Sequence, residues 1–148
     1  MTYRLLVALH LLGASVWVGG HLVLSLAVLP RALREHDPSI IRGFESGFER
    51  LGVSALLVQV VTGLWLAHLW APDVKGWLFP STPAARLILV KLALLAATVA
   101  LAVHARLRVV PRLDVTTLRL LAYHIVAVTL LGVALLVVGV AIRTGTVL

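Results

Sequence analysis

Four apolar runs, each long enough to cross a bilayer, leave this chain few ways to fold. The first, Leu5 to Pro30, reads LLVALHLLGASVWVGGHLVLSLAVLP and is broken only by His10, Ser15, Trp17, His21 and Ser25. The second, about 50–70, carries Ser54, Gln59, Thr62 and His68. The third, about 84–105, carries Lys91, Thr98 and His104, and the fourth, about 117–142, carries Arg119, Tyr123, His124 and Thr129. A helix crosses the hydrocarbon layer in about 20 residues and satisfies its own backbone there. The pattern predicts an all-α integral membrane protein, an up-down bundle of four transmembrane helices at about 4–30, 50–70, 84–105 and 117–142. In 148 residues that leaves one transmembrane domain, 1–148, and no room for a separate soluble one.

Composition agrees and excludes other classes. Hydrophobic residues make up 61% and charged ones 13%, with mean hydropathy +1.06, far from soluble averages. The net charge of +7 is what positively charged loops supply, so nucleic acid is not an expected partner. With no cysteine, disulfides and thiolate metal sites are excluded. The first run is too long and too studded with polar residues for a cleaved signal segment, and reads as a span.

Orientation follows from the loop cations. Arg31, Arg34, Arg42, Arg50, Arg106, Arg108, Arg112 and Arg119 fall at one end of the bundle, against Arg4, Lys75, Arg86 and Arg143 at the other. The positive-inside rule places the first set in the cytoplasm and both termini outside, in a bacterial-type inner membrane. Tyr3, Trp70 and Trp77 then lie in the outer aromatic belt. In the first loop, Asp37-Pro38 is a helix-start signal, and Ile40, Ile41, Phe44, Phe48 and Leu51 recur at three- and four-residue spacing. They predict a short amphipathic helix on the inner membrane surface, the alternative being an extension of the second span. Asp114 is positioned to cap the fourth helix.

Ionisable groups within spans are the functional candidates, because each needs a partner away from lipid. At 100° per residue Trp17 and His21 each fall within about 20° of His10, on opposite sides of it, on one helix face, the histidines about 16 Å apart along the axis. Gly13 and Gly20 flank that face and admit a flat ligand or another helix. Depth sorts the candidates into two layers: His10 and Lys91 in the outer half, His21 and His124 in the inner half. His104 lies about 140° around its helix from Lys91 and is expected to face away, as an interfacial histidine beside Arg106 and Arg108. Facing histidines across a bundle suit axial ligation of haem, and equally suit copper. Lys91 suits an anionic group, such as a haem propionate or a quinone oxygen, beside His10, unless it snorkels to the interface.

The segment Leu9-His10-Leu11-Leu12-Gly13-Ala14-Ser15-Val16-Trp17-Val18-Gly19-Gly20 resembles the LHLLxAxxWxGG opening of CopD-type copper resistance membrane proteins. Arg86 to Leu95, around Lys91, is similar to that family's third-helix pattern, and Phe48 to Leu64 and Tyr123 to Thr129 extend the likeness over most of the chain. The same positions resemble the HemJ-type protoporphyrinogen oxidases, four-helix membrane proteins that bind a b-type haem. That resemblance implies a functional pair at His10 and Lys91. Val18-Gly19-Gly20-His21 departs from the HemJ-like pattern, which has aromatic residues after the tryptophan.

Copper(I) pathways favour thiolate and thioether ligands, whereas this chain has no cysteine and only Met1, so haem b is the first expectation. On that reading His21 and His124 are axial ligands, with Trp17 beside them. His10 and Lys91 form an outer haem, quinone or substrate site, and the role is membrane electron transfer or haem-dependent oxidoreduction. Copper transport or homeostasis through His10, His21 and His124 is the alternative. A third is an accessory subunit of a larger membrane complex packed through Gly13/Gly20 and Gly132/Gly139; a homo-oligomer is a separate expectation. The lipid bilayer is a partner in all three, and another redox protein in the first.

Overall fold

The computed structural model describes residues 2–73 and 75–144. Among these residues four helices are long and apolar enough to cross a membrane, and there is no strand. The protein is an all-α, multi-pass membrane protein. Helix α1 (Thr2–Glu35) is followed by α2 (Ser39–Trp70), the one-turn α3 (Lys75–Leu78), α4 (Pro83–His104) and α5 (Leu118–Thr144). A π-helical turn (Ala105–Val109) and a 3-10 turn (Val110–Arg112) prolong α4.

Helix α1 runs past Pro30, where its span was expected to end, and helical turns carry α4 beyond residue 105 to Pro111. Pro30 has no N–H and its ring would strike the carbonyl four residues back. A π-helical turn, Leu24–Val28, sits just before it, with the Leu29 N–H bonding to the Leu24 carbonyl. Widening the turn relieves the clash and lets α1 continue beyond the predicted end at residue 30. Pro111 is preceded in the same way by the Ala105–Val109 turn, where the Val110 N–H bonds to the Ala105 carbonyl.

The first loop is correspondingly shorter than expected. Ile40, Ile41, Phe44, Phe48 and Leu51 do not form a separate interfacial helix but the opening turns of α2, with Ile41 fully buried in the core. Ile40, Ile41 and Phe44 join the core cluster that holds Leu29 and Ala32 of α1, Phe48 packs on Gly20, and Leu51 is exposed. Asp37 caps as predicted, its carboxylate accepting from the Ser39 N–H at 2.8 Å, and those bonds hold its pKa below the usual range. Asp114 accepts from Thr116 Oγ1 and, at 2.8 Å, from the Thr117 N–H, which lowers its pKa from 3.8 to about 2.

Packing runs α2–α1–α5–α4, so α1 and α5 are central while α2 and α4 do not pack along their lengths. Glycines set the α1–α2 contact. A Cβ on Gly13 would lie 2.9 Å from the Ala55 carbonyl oxygen, and one on Gly20 would run into the Phe48 ring, which also rests on Gly52. Close approach of this kind replaces the hydrophobic drive that helices lack in lipid. The α2–α4 seam is bridged at the arginine-rich end by Arg106 and Glu49, and Arg42 donates to the Leu113 carbonyl. At the other end Arg143 donates to the Tyr3 hydroxyl at 2.9 Å. Trp77 is buried, its Nε1–H bonded to the Ala71 carbonyl at 2.8 Å, while Trp70 is exposed.

Gly13→Ala should destabilise the protein by about 1–3 kcal/mol, because the carbonyl it meets is backbone and cannot move aside. Gly19→Ala, with nothing within 4 Å, should be neutral or stabilising in the same thermal unfolding assay in detergent. The Asp114 cap carries a pH signature: its carboxyl titrates lower folded (about 2) than its ordinary 3.8, so its contribution is complete above 3.8 and is lost as pH falls through about 2. Asp114→Asn should flatten the stability slope in that window, as read from acid titrations of the unfolding midpoint.

Candidate functional site

The α1 face that carries His10, Trp17 and His21 turns toward the open α2–α4 seam, and a polar layer lies on either side of the Trp17 ring. Trp17 is buried with Val18 and Val128, and Leu56 of α2 and Leu101 of α4 pack against that cluster. By helix rise, His10 lies about 10 Å to one side and His21 about 6 Å to the other.

In the outer layer His10 is half-buried, with Nδ1 at 3.1 Å from the Gln59 carbonyl and 3.0 Å from Thr62 Oγ1. A carbonyl only accepts, and the Thr62 hydroxyl gives its own hydrogen to the Val58 carbonyl at 2.6 Å. Nδ1 therefore carries the hydrogen, and Nε2 presents a lone pair. Gly63 makes room for the ring: a Cβ there would lie 2.9 Å from His10 Cε1. Lys91 Nζ rests against Gly139 of α5, near enough for its charge to act on His10. These two residues, expected to share a layer, do so.

In the inner layer His21 Nδ1 bonds to the Trp17 carbonyl at 2.9 Å, and the His21 ring leans on the indole with centroids 4.2 Å apart. Thr129 of α5 donates to the His21 carbonyl at 3.2 Å, tying the two central helices together here. His124 Nδ1 bonds to the Leu120 carbonyl at 2.9 Å. Both rings thus hold their hydrogen on Nδ1 and leave Nε2 as an acceptor. This is the arrangement by which a backbone carbonyl orients a metal-binding imidazole.

His104 departs from expectation. Its Nδ1 lies 2.9 Å from His124 Nε2, the rings stacked at 5.0 Å. Since His124 Nε2 has no hydrogen, His104 Nδ1 donates, which leaves the exposed His104 Nε2 with a lone pair. The helical angle from Lys91 misled because it assumed a closed bundle with one inward stripe; α4 packs along α5, and its face toward the open seam is polar as well. His104 sits at the depth of His124, and that depth was the usable signal.

His21 and His124 line one cavity of about 140 Å³ together with Glu45 and Arg106. Both line this cavity, but His124 pairs with His104 and His21 with Trp17. The volume suits an ion with water; pockets enclosing organic ligands run from about 300 Å³ upward. Among the described residues no three His, Asp or Glu side chains converge on one point. The paired His104 and His124 nitrogens are therefore the closest approach to a ligand set. Glu45, unremarked in the sequence, belongs to the amphipathic face of Ile41, Phe44 and Phe48 that became part of α2.

These bonds predict that ¹⁵N spectra of histidine-labelled protein, recorded above pH 7, show His10, His21 and His124 as Nδ1–H tautomers. His104→Ala should leave the tautomer of His124 unchanged, because the Leu120 carbonyl rather than His104 fixes it.

Comparison with known proteins gives one family and no individual relatives. The pattern of the CopD family, described as Copper resistance protein D, matches residues 42–142, from the start of α2 nearly to the end of α5. It takes in Lys91, His104 and His124 and leaves out α1 with His10, Trp17 and His21. No curated protein and no solved structure matches the chain. With more than half its length matched, the chain belongs to the CopD family of copper resistance membrane proteins.

Proposed function

We propose that this protein binds copper inside the bilayer as part of copper handling, at the inner histidine layer. The observation that carries the reading is the meeting of His104 Nδ1 and His124 Nε2 at 2.9 Å, with His21 on the same cavity and its Nδ1 already tied to a carbonyl. Imidazole is a good copper ligand, and copper(I) accepts two nitrogen donors without a thiolate. The ion would take the place of the hydrogen now shared by the two rings, while the hydrogen on His104 Nδ1 passes to its exposed Nε2. No proton need leave the protein. Glu45 and Arg106 at the cavity set its charge, and the Trp17 cluster keeps this layer apart from His10 and Lys91.

His10 and Lys91 form a second polar station on the same path, one an Nε2 lone pair and the other a cation. A cation beside a copper-binding imidazole opposes occupancy, so the outer station suits passage or an anionic companion better than storage. The haem b reading shares His21 and His124, but His124 Nε2 is directed to His104 rather than to His21, and that donor geometry favours an ion.

The test is anaerobic competition for copper(I) between the purified protein and a chromophoric chelator such as bicinchoninate. His104→Ala and His124→Ala should each weaken binding by about a hundredfold, and His10→Ala by less than about threefold, since loss of a metal ligand exceeds the 10–100-fold cost typical of outer-shell partners. Equal affinity in all three variants would overturn the assignment. A Soret band with stoichiometric iron in the same preparation would put haem in its place.

A further inference from the structure

On the arginine-rich rim, on the far side of α1 and α5 from the histidine layer, a groove of about 630 Å³ opens between the end of α1 and the first turns of α5. Leu33, Leu118 and Ala122 form an apolar floor; His36, Thr116 and Arg119 supply polar groups around it, and Tyr123 stands at its membrane side, 74% exposed. We infer that this groove binds the phosphate headgroup of an anionic phospholipid, a partner distinct from copper and independent of the copper reading.

Charge carries the inference furthest. Every carboxylate at this end of the bundle has other work among the described residues. Glu35 pairs with Arg31, Glu49 with Arg106, Asp37 and Asp114 cap turns, and Glu45 lies in the histidine cavity. Arg119 has neither a hydrogen bond nor an ion pair among the described residues. It also occupies the first turn of α5, where the helix dipole is positive and a cation is unfavourable. Asp114 already meets the backbone N–H groups at the start of α5, so the Arg119 guanidinium is the cation left at the groove without an acid, and it calls for an external anion.

Position and shape identify that anion. The groove lies where spans α1 and α5 end, at headgroup depth, and its floor is apolar. A phosphodiester at Arg119 would leave its acyl chains running down past Ala122 and the Tyr123 ring, an amphipathic side chain suited to that depth. His36 is delivered to the groove by an unusual turn: it ends α1 in the left-handed region, φ 52°, the only such non-glycine among the described residues, with the Asp37 N–H bonded to the Ala32 carbonyl at 3.1 Å. A glycine would adopt that turn at lower cost, so the ring that stands there is available for contact.

The experiment is native mass spectrometry of the full chain in detergent, titrated with phosphatidylglycerol or with phosphatidylcholine of the same acyl chains. Wild-type protein should retain phosphatidylglycerol at least about fivefold better, and Arg119→Gln should remove that preference, the effect of about 1 kcal/mol per cation at a membrane surface. His36→Gly, which keeps the turn and removes the ring, should lower retention by about twofold, and Arg108→Gln elsewhere on the rim should leave it unchanged. Equal retention of the two lipids, or undiminished phosphatidylglycerol binding by both Arg119→Gln and His36→Gly, would overturn the proposal. So would displacement of the lipid by millimolar inorganic phosphate, which would make the ligand a free anion rather than a membrane component.

Discussion

The structure depends on how closely α1 approaches α2. In lipid there is no apolar surface to hide from water, so helices hold together where small residues let backbones meet. Gly13 against the Ala55 carbonyl, and Gly20 and Gly52 around the Phe48 ring, bring α1 within such reach. That contact seats the His10 ring against Gly63 and its Nδ1 on the Gln59 carbonyl. On the opposite flank, Thr129 and the Val18–Gly132 contact attach α5 to α1 and bring His124 to the same cavity as His21. A central α1 thus explains why two polar layers can exist in so apolar a chain without an orphaned group: among the described residues no buried side-chain nitrogen or oxygen lacks a hydrogen-bond partner.

The two layers are chemically alike in one respect and different in another. His10, His21 and His124 all give their Nδ1 hydrogen to a backbone carbonyl, so each presents Nε2 in a fixed direction. In the outer layer the neighbouring charge is Lys91, whereas the inner layer has Glu45 beside Arg106, itself paired with Glu49, and a third imidazole at His104. A cation is therefore better accommodated on the His104 side of Trp17 than on the Lys91 side. Trp17 forms the apolar partition between the layers and props His21.

Much of this was legible in the sequence, for reasons that can be assigned. Four spans follow from the lengths of apolar runs, and the layering of His10 with Lys91 and of His21 with His124 follows from counting residues along them. Helix ends were less legible because the first run was ended at Pro30, whereas a π-helical turn ahead of that proline absorbs the missing N–H and the ring. The Ile40–Leu51 pattern left open a separate interfacial helix or an extension of the second span, since periodicity carries no information about whether a helix continues, and the structure shows the extension. His104 was missed because its angle was judged against a closed bundle, and the open α2–α4 seam is a tertiary fact that no local pattern encodes. The family pattern spans residues 42–142 and so omits the histidine- and tryptophan-bearing opening that first suggested the resemblance.

X-ray absorption at the copper K-edge of the protein loaded with one equivalent of copper(I) addresses the central claim most directly. A site at His104 and His124 predicts a low-coordinate edge feature and a first shell of nitrogen alone, with the outer-shell scattering that marks two imidazole rings. A first shell without imidazole scattering, or copper that washes away before the spectrum can be recorded, would contradict it.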